Sequence, residues 1–274
     1  MSSEQDSQGG APLMIATEGR LRILTLNRPE RLNALTPELH HMLRDAVMDA
    51  ADAPEVGALV LTGAGRAFCS GGDITRGGEA AALAVAPQTL EDRADALRRH
   101  GVTASLLGRM PKPTVALING AAAGAGLALA LACDLRIAAR GAVLRTAYAR
   151  IALAGDLGIS YFLTRAVGPA RARELMFLNE KIDADAAERL GLVHRVVDAE
   201  HLEAEGLSVA RTLANGPGVA FRYMKQNLSL AETGSLEQVL EREAYNNARC
   251  ARTQDVKEAT AAFREKREPL FKGV

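Results

Sequence analysis

TVALINGAAAGAGLALALACD, Thr114 to Asp134, carries no charge before its last residue. Its apolar run from Val115 to Cys133 is about 19 residues, near the length that spans a bilayer. It also contains Gly120-x-x-x-Gly124, a spacing used by paired membrane helices. Asn119 and three glycines interrupt the run, however, and the chain around it has soluble character. It reads better as a buried unit: a strand over Thr114–Asn119, a glycine turn, then an apolar helix from Gly126 to Cys133. Leu135–Ala139 follows as another strand, which makes the stretch one repeat of an α/β core.

The surrounding composition agrees with that reading. The chain has 274 residues, 48% hydrophobic and 24% charged, enough for one large domain or two modest ones. Lys+Arg and Asp+Glu balance at 33 each, so no basic field is present to hold nucleic acid. Tryptophan is absent and aromatics make up 4%, which argues against base-stacking platforms. Cys69, Cys133 and Cys250 are far apart and form no zinc spacing, so they read as reduced, cytoplasmic thiols. No metal site is visible. Residues 1–12 lack the basic-then-apolar order of a signal peptide and read as a disordered tail.

Working outward, residues 13–26 alternate and predict a hairpin around Glu18-Gly19. Thr36-Pro37 is a helix start, and Gly57 to Gly63 is a buried strand between glycines. Ile159–Val167 predicts a helix closed by Gly168, with Pro169 opening the next. Asp183 caps a helix before a strand over Leu192–Val197. The expected organisation is an α/β core over 13–200 and a helical C-terminal subdomain over 201–274. Residues 73–109 show weak periodicity and read as a loop with an irregular helical excursion, placing His100 as a solvated loop histidine.

Two glycine turns follow strands, at Cys69-Ser70-Gly71-Gly72 and at Asn119 to Gly126. Such turns let backbone N–H groups point outward, although close packing alone also explains glycine there. The combination is more specific. LTLNRPERLNALTPEL, AFCSGGDI, KPTVALINGAAAGAGLALALACDLRIA and FREKREPLFKG, in this order, resemble the enoyl-CoA hydratase/isomerase family, the crotonase superfamily. The resemblance runs over about residues 13–274. It implies a spiral of ββα turns, and a trimer or dimer of trimers held by the C-terminal helices. It also implies an acyl-CoA thioester as substrate, with no separate cofactor.

Residue by residue, it implies the N–H groups of Gly72 and Ala125 as an oxyanion hole, with a helix N-terminus behind Ala125. Arg28, Leu32, Phe68, Ser70 and Ile74 match the CoA-binding edge, and Phe263 and Lys266 match positions that reach a neighbouring subunit's nucleotide. For Arg28 and Lys266 a solvated surface charge is the competing reading. Asp134, between helix and strand, reads as structural.

The family's hydratases use two glutamates, one as base and one as acid. Their places here hold Ala128 and Tyr148, which are expected to line the pocket; Tyr148 either donates a hydrogen bond or walls it. Asp156, in Ala-Gly-Asp-Leu-Gly eight residues after Tyr148, is the acid left nearby. On spacing alone it reads as a turn aspartate capping the next helix. The resemblance points to a working acid instead, as in dienoyl-CoA and epoxyphenylacetyl-CoA isomerases and 4-chlorobenzoyl-CoA dehalogenase. An enoyl-CoA isomerase with Asp156 as its single acid/base is therefore expected first. An atypical hydratase or hydrolase, and a silent acyl-CoA binder, are the alternatives.

Overall fold

The structure is a computed structural model and describes residues 10–73 and 89–274. Most of the expected N-terminal tail, residues 1–9, lies outside the described residues. Ala11 and Pro12 are tied back, accepting hydrogen bonds from Asn27 Nδ2 and Asn27 N–H at 3.0 and 2.7 Å.

The expected hairpin forms from β1 (Leu13–Glu18) and β2 (Leu21–Leu26). Thr36 then caps α1 (Pro37–Asp52), its hydroxyl accepting from Leu39 N–H at 3.2 Å. Three strand–strand–helix repeats follow. The first is β3 (Ala58–Gly63), β4 (Ala67–Cys69) and α2 (Leu90–Arg109); the second is β5 (Thr114–Ile118), β6 (Ala121–Ala123) and α3 (Ala125–Ala132). The third is β7 (Leu135–Ala139), β8 (Val143–Arg145) and α4 (Ile159–Leu178). Then come β9 (Ile182–Asp183), α5 (Ala184–Arg189) and β10 (Arg195–Val197).

The first strand of each repeat joins one sheet and the second joins another. The six-stranded sheet runs β1-β2-β3-β5-β7-β10 and the four-stranded sheet β4-β6-β8-β9. Pairing is parallel from β2 to β10 and across β4-β6-β8, so the chain winds as a spiral of ββα turns. All eight residues of α3 are buried, and burying a leucine such as Leu127 or Leu129 contributes about 1.5–3 kcal/mol. At about 12 Å, this helix is a core element. No helix among the described residues is long and apolar enough to cross a membrane.

Several expectations are corrected. Residues 90–109 form a regular helix, α2, closed at its start by a Thr89/Asp92 capping box. Its buried stripe is His100, Thr103, Ala104 and Leu107, a helical spacing with a single leucine, which hides it from a search for apolar periodicity. His100 is therefore not a solvated loop residue: it is buried and stacks on His40 of α1, with ring centroids 4.2 Å apart. Phe68 lies in strand β4. The strand expected from Leu192 is limited to β10, because Leu192 and Val193 N–H groups instead cap α5 by donating to Ala187 O. The break expected at Gly168, by contrast, is present: its φ 76° and ψ 164° are non-helical, so α4 is two helical stretches joined at a kink, the second opening at Pro169.

α6 (Leu202–Ala214) covers the other face of the large sheet, packing Leu202, Leu207 and Ala210 with Val60, Val115 and Ile137. Beyond it, α7 (Gly218–Ala231), α8 (Leu236–Cys250) and α9 (Gln254–Glu265) leave large apolar side chains open, including Leu228, Leu236 and Phe263.

Candidate active site

β4, β6 and β8 are parallel neighbours, so their C-terminal ends lie side by side. In open parallel sheets that edge is where ligands sit. Gly72 follows β4, Ala125 follows β6 and Tyr148 follows β8. Three residues that are far apart in sequence are thus delivered to one edge.

The ends are in close contact. Gly71 takes φ 101°, and a Cβ there would stand 3.0 Å from Ala123 O and 3.5 Å from Ala125 N. A Cβ on Gly126 would stand 2.3 Å from Cys69 O and 2.7 Å from Cys69 Cβ, so only glycine lets α3 approach β4 this closely. Ala125 is the first residue of α3, and the helix supplies no carbonyl for its N–H. The positive end of the helix dipole lies at the same point.

Gly72 is held by a ribbon with residues 32–35. Ser70 N–H donates to Leu32 O at 3.0 Å, Leu35 N–H to Gly71 O at 2.8 Å, and Asp73 N–H to Leu35 O at 3.0 Å. The Gly72 N–H is not one of the ribbon's donors. Arg28 braces this ribbon, donating to Ala34 O at 2.5 Å and to Asp73 Oδ2 at 3.1 Å. Its guanidinium is therefore a partnered charge rather than a solvated one. Asn33, buried with φ 55°, donates to Ala64 O and Ala67 O at 2.9 and 2.7 Å and locks the turn onto β4.

The third end carries the acid. Tyr148 opens a 3-10 turn (Tyr148–Ile151) and is buried; Asp156 is half-buried in the loop beyond. Tyr148 Oη donates to Asp156 Oδ1 at 2.5 Å. Gly158 is the cap of α4, without a side-chain bond, and the Asp156 carbonyl accepts from Ile159 N–H at 3.0 Å. Burial first, and the Asp156 charge second, push the Tyr148 phenol well above the ordinary tyrosine range, so it stays a neutral donor. Asn179 fixes the segment before Tyr148, its Oδ1 accepting from Ala147 N–H at 2.7 Å. In the acid's loop Leu157 holds φ 47° and is buried, a backbone strain of about 1–3 kcal/mol.

Cys69 links the ends, since Gly126 packs closely against it. Burial pushes its thiol up to about 12, so it offers no thiolate nucleophile. Ala128 lies one helical turn beyond Ala125, fully buried, with no ionisable group. Beside Leu157 and Gly158 a cleft of about 940 Å³ opens between α2, α4 and α7, with Ala104, Gly108, Phe162, Phe221 and Leu228 on its walls.

The remaining candidates separate from this cluster. Phe68 is fully buried and its side chain packs in the core. Ser70 and Leu32 are half-buried on the ribbon, and Ile74 lies outside the described residues. Phe263 and Lys266 are exposed on the C-terminal arm, and neither side chain hydrogen-bonds to the ribbon among the described residues. Asp134 is structural, accepting from Thr114 N–H at 2.8 Å and Lys225 Nζ at 2.6 Å. Among the described residues no three His, Cys, Asp or Glu side chains gather as a metal site.

Comparison with known proteins decides the ancestry of this arrangement. A profile described as enoyl-CoA hydratase/isomerase matches residues 17–274. The chain belongs to the enoyl-CoA hydratase/isomerase family. It is 36% identical over 255 residues to 1,2-epoxyphenylacetyl-CoA isomerase of Escherichia coli, covering 91% of this chain and 94% of that one. It is 32% identical over 264 residues to crotonyl-CoA hydratase of Syntrophomonas wolfei, covering 94% and 97%. Among solved structures, an enoyl-CoA hydratase from Polaromonas superposes with a TM-score of 0.87 at 35% identity, covering 94% and 99%. The crotonase-like spiral expected from the motifs is therefore the fold of this family member, whose relatives include both an isomerase and hydratases.

Proposed function

We propose that this family member is an enoyl-CoA isomerase that moves a proton from Cα to Cγ of an acyl-CoA thioester, with Asp156 as its single acid/base. The observation that carries this reading is the carboxylate of Asp156 held by Tyr148, while the two hydratase positions, Ala128 and Tyr148, carry no acid. A proton shift needs one group that takes a proton and gives it back; hydration needs an activated water as well as a proton at Cα.

Asp156 removes the α-proton, and the electron pair moves onto the thioester oxygen to form a dienolate. The Gly72 and Ala125 N–H groups bond that oxygen more strongly as its charge grows, so they lower the barrier rather than merely bind substrate. Loss of one such donor costs about 3–4 kcal/mol. The dienolate then takes the proton back from Asp156 at Cγ, and charge and atoms return to balance. The E. coli relative, named as an isomerase, supports the reading. The relatives named as hydratases favour the second reading, in which Asp156 acts on water.

Asp156→Asn tests it. Double-bond migration should fall about 10²- to 10⁴-fold while CoA-thioester affinity is unchanged. Migration at the wild-type rate would overturn the assignment, and robust hydration of crotonyl-CoA by the wild-type protein would favour the second reading. Binding without any exchange of α-protons would instead mark a silent acyl-CoA binder. The exposed apolar side chains of α7–α9 support a further part of the proposal, that these helices are covered by other copies in a trimer or dimer of trimers. A monomer in light scattering would contradict that part.

A further inference from the structure

We infer that Tyr148 is a positioning residue for the proton transfer: it holds the Asp156 carboxylate in one orientation through both halves of the shift. This rests on the reading of Asp156 as the acid/base. The inference starts from the geometry of the pair. Tyr148 Oη donates to Asp156 Oδ1 at 2.5 Å, a charge-assisted hydrogen bond of the short kind. The ring behind it is buried and cannot swing away. The backbone on either side is anchored too, by Asn179 Oδ1 on Ala147 N–H and by Leu153 N–H donating to Tyr148 O at 3.1 Å.

A positioned carboxylate matters more here than in a two-acid site. One group must reach Cα, keep the proton, and deliver it at Cγ, two carbons further along. A loosened carboxylate reaches both carbons less often and gives its proton more time to exchange with water. A donor that ionised would be useless, because a phenolate beside a carboxylate repels it. The buried phenol, disfavoured as phenolate also by Asp156 itself, avoids this. Tyr148 thus occupies the place where a second acid would stand with a group that cannot activate water as a base but can orient the acid that remains.

Tyr148→Phe tests the role, since it keeps the buried ring and removes only the hydroxyl. A displacement of about 1 Å at a reacting group can cost roughly 10²-fold in rate, so kcat should fall roughly 10- to 100-fold with KM within about twofold. The second readout is label return. With an α-deuterated 3-enoyl-CoA in ordinary water, the wild type should deliver part of the deuterium to Cγ, and Tyr148→Phe should deliver a smaller fraction. A purely structural role would not change that fraction. Wild-type kcat in Tyr148→Phe, or reduced kcat with unchanged label return, would overturn the inference. Asp156→Asn is run alongside: if it isomerises normally, the acid/base reading itself fails, and the positioning role with it.

Discussion

Replacing Gly126 with alanine should separate the two turns that carry the proposed oxyanion donors. A Cβ at that position would stand 2.3 Å from Cys69 O, 2.7 Å from Cys69 Cβ and 2.8 Å from Cys69 C. Ordinary contact begins near 3.4 Å, and two of the three obstructing atoms are backbone. No rotamer change can relieve the clash, so α3 and β4 must move apart by about 1 Å. Ala125 travels with α3, whereas Gly72 follows β4. A donor displaced by that much loses roughly 10²-fold in rate, or about 2.7 kcal/mol of transition-state stabilisation. The overpacking should also cost about 1–3 kcal/mol of stability. The assay pairs the rate of α-proton exchange with a thermal melt, so that a folded but slow enzyme is recognised as such. Affinity for a CoA thioester should change less than the rate, because the donors bond the enolate more strongly than the ground-state carbonyl. A Gly126→Ala protein that melts within a degree or so of the wild type and exchanges protons equally fast would refute the claim that this contact sets the hole.

Three further outcomes follow from the same geometry. Arg28→Met should lose the bonds to Ala34 O and Asp73 and destabilise the fold by about 2 kcal/mol, read from urea unfolding, with a slower rate because the Gly72 ribbon loosens. Tyr148 is raised by burial and by the Asp156 charge, so its phenolate should appear only above the usual tyrosine range; Asp156→Asn removes that charge and should lower the midpoint in an ultraviolet difference titration. Cys69 and Cys133, both buried with thiols pushed up to about 12, should resist alkylation in the native protein while the half-buried Cys250 reacts first; denaturant should expose all three cysteines.

What the sequence reveals depends on how the physics is written into it. α3 is legible because a uniformly apolar segment between glycines has little alternative to the core, and its start differs from the expected one by a single residue. α1 is legible because Thr36 and Pro37 state its start. α2 is not, since a helix that buries two polar side chains with one alanine and one leucine carries almost no apolar period. Gly72, Ala125 and Asp156 are candidates from motifs, but the placing of Gly72, Ala125 and Tyr148 along one edge depends on three parallel strands whose neighbours are distant in sequence. Arg28 illustrates the limit: nothing in a basic loop residue announces the partners it takes, Ala34 O and Asp73. Asn33 and Asn179 escape notice altogether. Both hold positive φ, a conformation asparagine tolerates, and both spend their side chains on backbone groups of the site's supports. An asparagine just after a turn or a helix end is the only signal they leave.

The most direct test of the account follows one 3-enoyl-CoA in deuterated water by proton NMR, with the wild type and Asp156→Asn side by side. The wild type should yield the 2-enoyl thioester with deuterium only at Cα and Cγ and no accumulating 3-hydroxyacyl product, and Asp156→Asn should leave the substrate unlabelled. A 3-hydroxyacyl thioester as the main product, or labelling by Asp156→Asn at the wild-type rate, would contradict a single-acid proton shift.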